Sequence, residues 1–284
     1  RMDPRMDPMI GRVIAGRFLI EKMLGSGATG VVYRAKHRAL GRTMAVKLLK
    51  QQFVWDDRSL ERFFREARTY SMLDHPNIVY LYDFGRGEHG EPFLVMEFAE
   101  GETLHEAIQQ SETRTLPMDR VLNVLCQVAR ALDHAHSRGV IHRDIKPENI
   151  MLCRQDTQDD LVKLLDFGVA RLVDQSRVTG VGQVTGTAEF IAPETLLDDG
   201  LISSAVDMYA LGMIFHDAVV GRTPFTGTLD VVLHQHLEVV PPLLSERSGD
   251  PGIPEELDYL VASLLEKDPA HRPLARDVAD TLER

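Results

Sequence analysis

The sequence is short of several residue types, and each shortage excludes a class of protein. Only 2 of its 284 residues are cysteines, which is too few for a disulfide framework or a cysteine-ligated zinc site. No stretch reaches the roughly 18 consecutive apolar residues that a membrane-spanning helix needs, because Asp207 and Asp217 interrupt the longest apolar region, residues 205–220. We therefore expect Cys126 and Cys153 to be reduced thiols in a cytoplasmic protein, or in the cytoplasmic domain of a longer, membrane-anchored one.

Basic charge is also scarce. The sequence has 32 Lys and Arg residues against 43 Asp and Glu residues, a formal net charge of −11. A general nucleic-acid binder needs many basic contacts to phosphate, so this balance argues against nucleic acid as a partner. It is compatible with basic protein partners, and it is equally common as a solubility feature.

The length and the first residues limit what can fold. A chain of 284 residues, 44% of them apolar, lies at the size where a single core begins to divide, roughly 250–300 residues. One catalytic unit with two lobes fits this length. Residues 1–8 read Arg-Met-Asp-Pro twice, which is typical of residues added in cloning, so residues 1–9 are left out of the predicted fold.

The pattern of apolar residues predicts an α+β protein. Short apolar runs separated by glycine turns predict antiparallel strands in the first third of the chain. These runs lie at residues 18–20, 31–33, 44–49, 79–84 and 93–98. Apolar residues at helical spacing over positions 60–73 predict one helix in the same region. After Gly101 the spacing is mainly helical, with helices predicted over residues 121–135, 203–220 and 254–267.

A glycine-rich segment lies between two of the predicted strands. Residues 24–32 read Leu-Gly-Ser-Gly-Ala-Thr-Gly-Val-Val and fit G-x-G-x-x-G-x-V. Glycines let backbone amides approach phosphate oxygens without a Cβ in the way. The pattern alone is weak, since dinucleotide-binding folds also carry it, between a strand and a helix. Strands on both sides favour a phosphate-binding hairpin, with an ordinary glycine hairpin as the alternative.

Two later motifs contain the side chains that nucleotide chemistry needs. Residues 142–149 read His-Arg-Asp-Ile-Lys-Pro-Glu-Asn, and an Asp-Phe-Gly motif begins at Asp166. Asp144 could accept a hydroxyl proton, and Lys146 could neutralise a phosphate in transfer. Asn149 and Asp166 offer the hard oxygen ligands that Mg²⁺ prefers. Together these residues predict binding of a nucleoside triphosphate with Mg²⁺.

With these motifs the chain resembles the eukaryotic-like (Hanks-type) Ser/Thr protein kinases, and it is most similar to bacterial members. The resemblance covers residues 17–281 and includes an Ala-Pro-Glu motif at 192–194. It implies a bilobal α+β kinase fold with a small antiparallel N-lobe that carries one helix, and a larger, mainly helical C-lobe. The implied boundaries are residues 17–96 for the N-lobe, 97–101 for the hinge and 102–281 for the C-lobe. The implied activity is transfer of the γ-phosphoryl group of ATP, with Mg²⁺ or Mn²⁺, to protein Ser and Thr hydroxyls.

The resemblance also assigns roles to single residues. Lys47 alone is a lysine in an apolar strand, which is usually a surface residue, but in the family it contacts the phosphates and pairs with an acid that corresponds to Glu66. The residues expected to contact ATP are Leu24, Gly25, Ser26, Gly27, Ala28, Thr29, Gly30, Val32, Ala45, Lys47, Glu66, Met96, Glu97, Ala99 and Met151. The residues expected to be catalytic are Asp144 and Lys146, and those expected to bind metal are Asn149 and Asp166.

Other polar residues of the same motifs are expected to be structural. The resemblance implies that His142 packs in the interior and does not titrate in the reaction. Asp207 would anchor the backbone of residues 142–149, since a buried acid is costly unless it is hydrogen-bonded. Arg272 would pair with Glu194 of the Ala-Pro-Glu motif.

The segment 169–191 is predicted to be a regulated loop. It contains several Ser, Thr and Gly residues, a composition that suits a mobile loop. Because Arg143 directly precedes the proposed base, the resemblance implies that a phosphate on the loop pairs with this arginine and orders the loop. We predict autophosphorylation at Thr179, with Thr185 as the second candidate, in a kinase–kinase dimer.

Two other functions remain open on the sequence alone. One is a kinase-like scaffold, or pseudokinase, that binds nucleotide without transferring phosphate. The other is a small-molecule kinase of the antibiotic-phosphotransferase kind, although these generally lack the long loop that ends in Ala-Pro-Glu. The complete set of expected catalytic and metal-binding residues favours the protein kinase.

Overall fold

The computed structural model of the chain describes residues 7–27, 29–50, 57–88, 90–153, 160–167, 188–197, 202–250 and 252–284. These residues form two compact units. The first unit comprises the described parts of Arg1–Asp74 and Val79–Ala99. The second comprises the described parts of His75–Ile78, Glu100–Phe167 and Val178–Arg284. The chain crosses between the units after Asp74, after Ile78 and after Ala99, and the last of these crossings falls within residues 97–101.

The first unit is built on a six-stranded antiparallel sheet, as the glycine-punctuated apolar runs predict. Its strands are β1 (Val13–Ile14), β2 (Phe18–Ser26), β3 (Gly30–His37), β4 (Thr43–Leu49), β5 (Leu81–Arg86) and β6 (Pro92–Glu97), in the order β1-β2-β3-β4-β6-β5. Alternate side chains of the strands, among them Phe18, Tyr33 and Val46, form a buried core on one face. The predicted helix is α1 (Asp57–Tyr70), which buries Leu60 and Phe63.

The residues just before β1 belong to the fold of the first unit. The Tyr33 hydroxyl donates to Asp7 Oδ2 over 3.1 Å, and Met9 packs against the core of the sheet. The expectation that residues 1–9 lie outside the fold is therefore wrong for residues 7–9. The repeated four-residue pattern concealed this, because the contact to Tyr33 joins residues far apart in the sequence.

The second unit is mainly helical. Its helices are α2 (Leu104–Gln110), α3 (Met118–His136), α4 (Ala205–Val220), α5 (Leu229–Glu238), α6 (Leu244–Ser248), α7 (Glu255–Leu264) and α8 (Ala275–Leu282). Helix α4 is buried on almost all sides and packs against α3, α6 and α7, as expected for a helix that is apolar all round. It ends at Gly221, whose φ of 78° is the left-handed conformation that glycine adopts readily.

A small sheet in the second unit supports the candidate site. Its strands are β7 (Gly101–Thr103), β8 (Ile150–Cys153) and β9 (Leu161–Leu164), in that order. Residues 75–78 belong to this unit because Asn77 Nδ2 donates to Gln127 Oε1 and to the Val162 carbonyl, each over 2.8 Å.

Two findings bear on the compositional expectations. Cys126 is buried and Cys153 is partly exposed, and both are thiols. Among the described residues, no helix is both long enough and apolar enough to cross a membrane.

Candidate active site

The loop 142–149 of the second unit, which contains the expected base Asp144 and is here called the catalytic loop, is anchored by one carboxylate. The His142 amide donates to Asp207 Oδ2 over 2.9 Å, and the Arg143 amide donates to Asp207 Oδ1 over 2.8 Å. Asp207 lies in the first turn of α4 and is only 1% exposed. Arg143 has a φ of 66°, which non-glycine residues rarely adopt. The two hydrogen bonds therefore hold a strained turn, and the predicted anchoring role of Asp207 is confirmed.

His136 is the third partner of this carboxylate, and the sequence analysis missed it. Its Nε2 lies 2.8 Å from Asp207 Oδ2, and its side chain is 12% exposed. Burial by itself raises the pKa of Asp207, but the hydrogen bond and charge of His136, together with His142, outweigh it and hold the pKa below its usual value. The anchor is therefore an anion at neutral pH. A histidine within a helical stripe carries no sequence signal for such a contact.

His142 is a structural residue, as the resemblance implies. It is fully buried, and its ring centroid lies 4.5 Å from that of Phe167. Nε2 donates to the Leu165 carbonyl over 2.8 Å, and Nδ1 accepts from the Asp144 amide over 3.3 Å. Burial lowers the pKa of His142, so the ring is neutral, with one nitrogen donating and the other accepting. Its hydrogen bonds join the catalytic loop to the segment that contains Asp166.

The loop brings together three of the residues expected to be functional. Lys146 Nζ lies 3.2 Å from Asp144 Oδ2, with the two side chains 19% and 14% exposed. Asn149 Nδ2 donates to the Asp144 carbonyl over 2.7 Å and to Asp144 Oδ2 over 3.2 Å. The Asp144 carboxylate is thus held between a cation and an amide, and it remains partly accessible.

Asn149 and Asp166 are close because of the pairing of β8 with β9. Ile150 is paired with Leu164, and the Leu165 amide donates to the Asn149 carbonyl over 2.9 Å. Asp166 follows directly, with a φ of 57°, so its backbone turns away from the extended path of the strand. The two residues expected to bind metal therefore lie at one end of this strand pair.

The donor set at this position fits Mg²⁺. Because the Asn149 amide nitrogen donates to Asp144, its side-chain oxygen is the atom that can coordinate a cation. Asp166 supplies a carboxylate, and Mg²⁺ typically takes one or two carboxylates and completes its shell with phosphate oxygens and water. No group of three or more His, Cys, Asp or Glu side chains in the described part of the chain could hold a metal ion.

The glycine-rich hairpin of the first unit joins β2 to β3, with strands on both sides as predicted. A Cβ added at Gly25 or Gly27 would meet no atom within 4 Å, whereas one at Gly30 would lie 2.5 Å from the Leu48 carbonyl oxygen. Gly30 is thus required by strand packing. Gly25 and Gly27 instead leave the backbone open to an approaching group. Lys50 Nζ donates to the Gly27 carbonyl over 2.6 Å and so braces the hairpin.

Strand register places Lys47 beside this hairpin. Gly25 is paired with Val32, and Val32 with Lys47. Lys47 is only 4% exposed, so it is not the surface lysine that its residue type alone would suggest. Glu66 lies on α1 with a half-buried side chain, 32% exposed, while Glu61 on the same helix is exposed.

The residues expected to contact adenine are divided between the two units. Ala45 and Met96 are partners on neighbouring strands, β4 and β6, and both are buried. Leu24 is 44% exposed. Met151 belongs to β8 of the second unit.

The Ala-Pro-Glu motif is fixed by a buried ion pair, as predicted. Arg272 Nη1 and Nη2 donate to the two carboxylate oxygens of Glu194 over 2.7 and 2.8 Å, and the two side chains are 0% and 6% exposed. The same guanidinium donates to three backbone carbonyls, which belong to Ala205, Glu266 and Lys267. This pairing is confirmed.

Several predicted positions lie outside the described residues. They are Ala28 of the glycine-rich hairpin, Gly168 of the Asp-Phe-Gly motif, the loop candidates Thr179 and Thr185, and residues 169–187 of the predicted loop.

Comparison with known proteins identifies the family. The protein kinase domain family matches residues 18–281. The chain belongs to this family. The kinase domain is 39% identical, over 94% of its length, to the serine/threonine-protein kinase PknA of Mycobacterium tuberculosis. It is 36% identical, over 96% of its length, to the serine/threonine-protein kinase pkn3 of Myxococcus xanthus.

A solved structure supports the fold. The kinase domain of Mycobacterium tuberculosis PknI superposes with a TM-score of 0.75 and 29% identity, over 96% of this chain and 97% of that one. The resemblance to bacterial Ser/Thr protein kinases and the bilobal α+β kinase fold are therefore confirmed. The chain spans 60% of the length of PknA and 50% of that of pkn3, so the kinase domain accounts for part of each relative.

Proposed function

We propose that this kinase domain transfers the γ-phosphoryl group of ATP to Ser and Thr hydroxyls of proteins. The observation that carries the proposal is the catalytic loop, in which the carboxylate of Asp144 lies within 3.2 Å of both Lys146 Nζ and Asn149 Nδ2. A kinase-like scaffold would have no chemical use for a carboxylate fixed in this way beside a cation.

The roles within the loop follow from charge and reach. Asp144 would orient the acceptor hydroxyl and take its proton. Lys146 would stabilise the negative charge on the phosphoryl group in transfer. Asn149 would hold Asp144 through its amide nitrogen and offer its oxygen to the cation. The anion at Asp207 would keep the loop backbone in place while these groups act.

Asn149 and Asp166 would bind Mg²⁺, with Mn²⁺ as an alternative cation of similar ligand preference. When bound, the cation neutralises charge on the phosphates of ATP and fixes their position. Asp166 would contribute its carboxylate, and its left-handed backbone would turn that carboxylate out of the strand pair.

Further residues would bind the rest of the nucleotide. The open backbone at Gly25 and Gly27 supports phosphate contact by the hairpin, which also includes Ser26, Ala28, Thr29 and Gly30. Lys47 would pair with Glu66 and contact the α- and β-phosphates. Leu24, Val32, Ala45, Met96 and Met151 would contact the adenine ring. Because the Glu97 amide donates to the Tyr80 carbonyl over 2.8 Å, Glu97 would offer its carbonyl to adenine, and Ala99 its amide.

Carboxylates near the catalytic loop favour basic acceptors. Burial, followed by the charges of Glu189 and Glu148, raises the pKa of Asp217 to about 6, while the charge of His105 opposes this shift. Burial and the charge of Glu148 likewise raise the pKa of Glu189. Like charges that repel one another in this way are relieved by a cation, so we propose that acceptor proteins carry Lys or Arg close to the phosphorylated residue.

We also propose control by phosphorylation of the loop 169–191. Arg143 is held by Asp207 directly before Asp144, where a phosphate on Thr179 or Thr185 could pair with its guanidinium. Transfer between two copies of the kinase domain would supply this phosphate. The two reduced thiols support a cytoplasmic location.

The test is transfer of radiolabelled phosphate from γ-labelled ATP with Mg²⁺. Histone as a basic protein and kanamycin as an aminoglycoside serve as competing acceptors. The proposal predicts label on histone, none on kanamycin, and loss of transfer with excess EDTA. Label on kanamycin alone would favour a small-molecule kinase, and ATP binding without any transfer would favour a pseudokinase.

The regulatory part has its own measurement. Mass spectrometry after incubation with Mg-ATP should find phosphate on residues 169–191, first on Thr179. An active enzyme with no phosphate on this segment would contradict the loop control while leaving the transfer activity in place.

A further inference from the structure

Lys267 has unusual surroundings for a lysine. It lies between α7 and α8, and its Nζ donates to the Gln235 and His236 carbonyls over 3.2 and 2.8 Å. The same nitrogen lies 4.8 Å from the ring centroid of Phe225 and 5.8 Å from that of Tyr209. The ammonium group therefore binds the last turn of α5, at the end of the helix whose dipole favours a cation.

Helix α5 supports the segment that leads to the Ala-Pro-Glu motif. It packs against the short 3-10 turns at Ala188–Phe190 and Pro193–Leu196. Within this support, His236 Nδ1 lies 2.9 Å from the Tyr209 hydroxyl, which belongs to α4. The position of α5 therefore affects the position of residues 188–196.

The second support of that segment is the ion pair between Arg272 and Glu194, and it also reaches Lys267. Arg272 Nη2 donates to the Lys267 carbonyl over 3.1 Å, while its guanidinium binds Glu194. Lys267 is thus bound to Arg272 through its backbone and to α5 through its side chain. The two supports of residues 188–196 meet at this one residue.

Residues 188–190 lie near the chemistry of the proposed function. Glu189 is close enough to Glu148 for their charges to interact, and Glu148 belongs to the catalytic loop, four residues after Asp144. If Asp144 receives the acceptor hydroxyl, the flanking residues of the acceptor pass beside Glu189.

We propose that Lys267 is a positioning residue for the protein acceptor, because its ammonium group fixes α5 and, through α5, the acceptor-facing residues 188–196. The inference rests on the proposed kinase function. It assigns no contact between Lys267 and ATP or acceptor.

The surroundings of Lys267 disfavour its charged form. Burial, followed by the charge of Arg272, lowers its pKa to about 8, while Glu238 opposes this shift. A lysine whose pKa is lowered by folding binds its proton less tightly in the folded state, so folding would be easier without the charge. An apolar side chain of similar length should therefore preserve stability.

The matched variants are Lys267→Met, which keeps the length and the contact with the aromatic rings, and Lys267→Arg, which keeps a permanent charge. Steady-state kinetics with histone and Mg-ATP separate the acceptor from the nucleotide. Lys267→Met should raise the KM for histone about tenfold, because α5, and with it residues 188–196, loses the hydrogen bonds that fix its position. The KM for ATP should stay within about twofold, and the melting temperature should be unchanged or higher.

The KM for histone measured as a function of pH is a further test, because a purely structural role of Lys267 would not make this KM depend on its protonation. The wild-type KM for histone should rise between pH 7 and 9, as Lys267 loses its proton. The other groups around it are Arg272 and Glu238, which carry charge, and His236 and Tyr209. Burial lowers the pKa of His236 to about 4 and raises that of Tyr209 far above this range. Lys267→Arg should show a flat profile, since its guanidinium stays charged.

The inference would be overturned if Lys267→Met had an unchanged KM for histone. It would also be overturned if the melting temperature of this variant fell and its KM values for ATP and histone rose equally. The same holds if Lys267→Arg shows the same pH-dependent rise as the wild type. If Lys267→Met fails to fold, the wild-type and Lys267→Arg profiles decide. A wild type that transfers no phosphate overturns the proposed function and this inference with it, whereas an active wild type with an unaffected Lys267→Met variant overturns the inference alone.

Discussion

The two units hold their candidate functional residues by different means. In the first unit, strand register places Gly25, Val32 and Lys47 in one row across the sheet. In the second unit, buried polar groups hold the site, with Asp207 binding His136 and two backbone amides. A backbone sheet tolerates many side-chain changes, whereas a buried polar network is costly to break.

This difference separates the expected effects of substitution. Changes at Gly25 and Gly27, where the hairpin of the first unit has open space beside the backbone, should alter nucleotide binding with little loss of stability. Changes to the buried polar groups Asp207, Glu194 and Arg272 of the second unit should lower the free energy of unfolding as well as activity, because each leaves a buried partner unsatisfied.

The largest expected effect on stability is at the buried ion pair of the second unit. Arg272→Ala should lower the free energy of unfolding by about 3–5 kcal/mol, because it leaves the Glu194 carboxylate buried without its partner. Urea unfolding followed by circular dichroism measures this. The matched control is Arg17→Ala in the first unit, where the ion pair with Asp83 is 52% and 30% exposed and the expected loss is at most about 1 kcal/mol. Equal losses of unfolding free energy in the two variants would contradict the expected difference between the two units.

The next effect is within the glycine-rich hairpin itself. Gly30→Ala should destabilise the chain by roughly 1–3 kcal/mol, since its Cβ would overlap the Leu48 carbonyl. Gly25→Ala should leave the melting temperature nearly unchanged and raise the KM for ATP, because its Cβ would enter the space proposed for phosphate. Thermal unfolding and ATP kinetics on both variants test this. A Gly25→Ala variant with wild-type ATP kinetics would argue against phosphate contact at this glycine.

The buried histidines of the second unit predict a pH dependence of stability. Burial lowers the pKa of His216 to about 4, with Arg247 adding to the effect. The unfolded chain takes up this proton near pH 6.5 and the folded chain only near pH 4, so acidification from pH 7 to 5 should cost about 2 kcal/mol at this residue. Asp217 has a pKa raised to about 6, chiefly by burial, so acidification over the same range stabilises the fold at that residue.

Comparing the wild type with His216→Leu isolates the contribution of His216, because all other titrating groups are the same in both proteins. The variant should show a shallower fall in unfolding free energy between pH 7 and 5 than the wild type. Parallel curves would show that His216 does not contribute.

The smallest effect concerns the acceptor. As the pH falls through about 6, Asp217 takes up a proton and loses its negative charge, so the KM for a basic acceptor should rise about threefold between pH 7.5 and 5.5. Asp217→Asn should start with the higher KM and show a weaker dependence. The measurement is the KM for histone over this pH range, with the KM for ATP as the internal control.

The sequence predicted what depends on local patterns and on the family's motifs. The antiparallel strands, helices α1 and α4, the anchoring carboxylate Asp207 and the pair of Arg272 with Glu194 all follow from apolar spacing or motif position. The sheet register that brings Lys47 beside Gly25 could not be read from the strands alone.

The features that were missed depend on contacts between residues far apart in the sequence. His136 looks like any histidine of an amphipathic helix until folding brings it to Asp207, 71 residues later. Helix α5 was not predicted, and neither was Lys267, because its role depends on where that helix ends. Asp7 was set aside because its segment repeats, although Tyr33 binds it.

The central claim is that Asp144 of the catalytic loop takes part in phosphoryl transfer and that Lys47 takes part in binding ATP. Its most direct test measures γ-phosphate transfer and ATP binding for the wild type, Asp144→Asn and Lys47→Met. We expect the transfer rate of Asp144→Asn to fall roughly 10²- to 10⁴-fold, with an ATP affinity near that of the wild type. Lys47→Met should lose both phosphate transfer and ATP affinity. Retained transfer in Asp144→Asn would contradict the account.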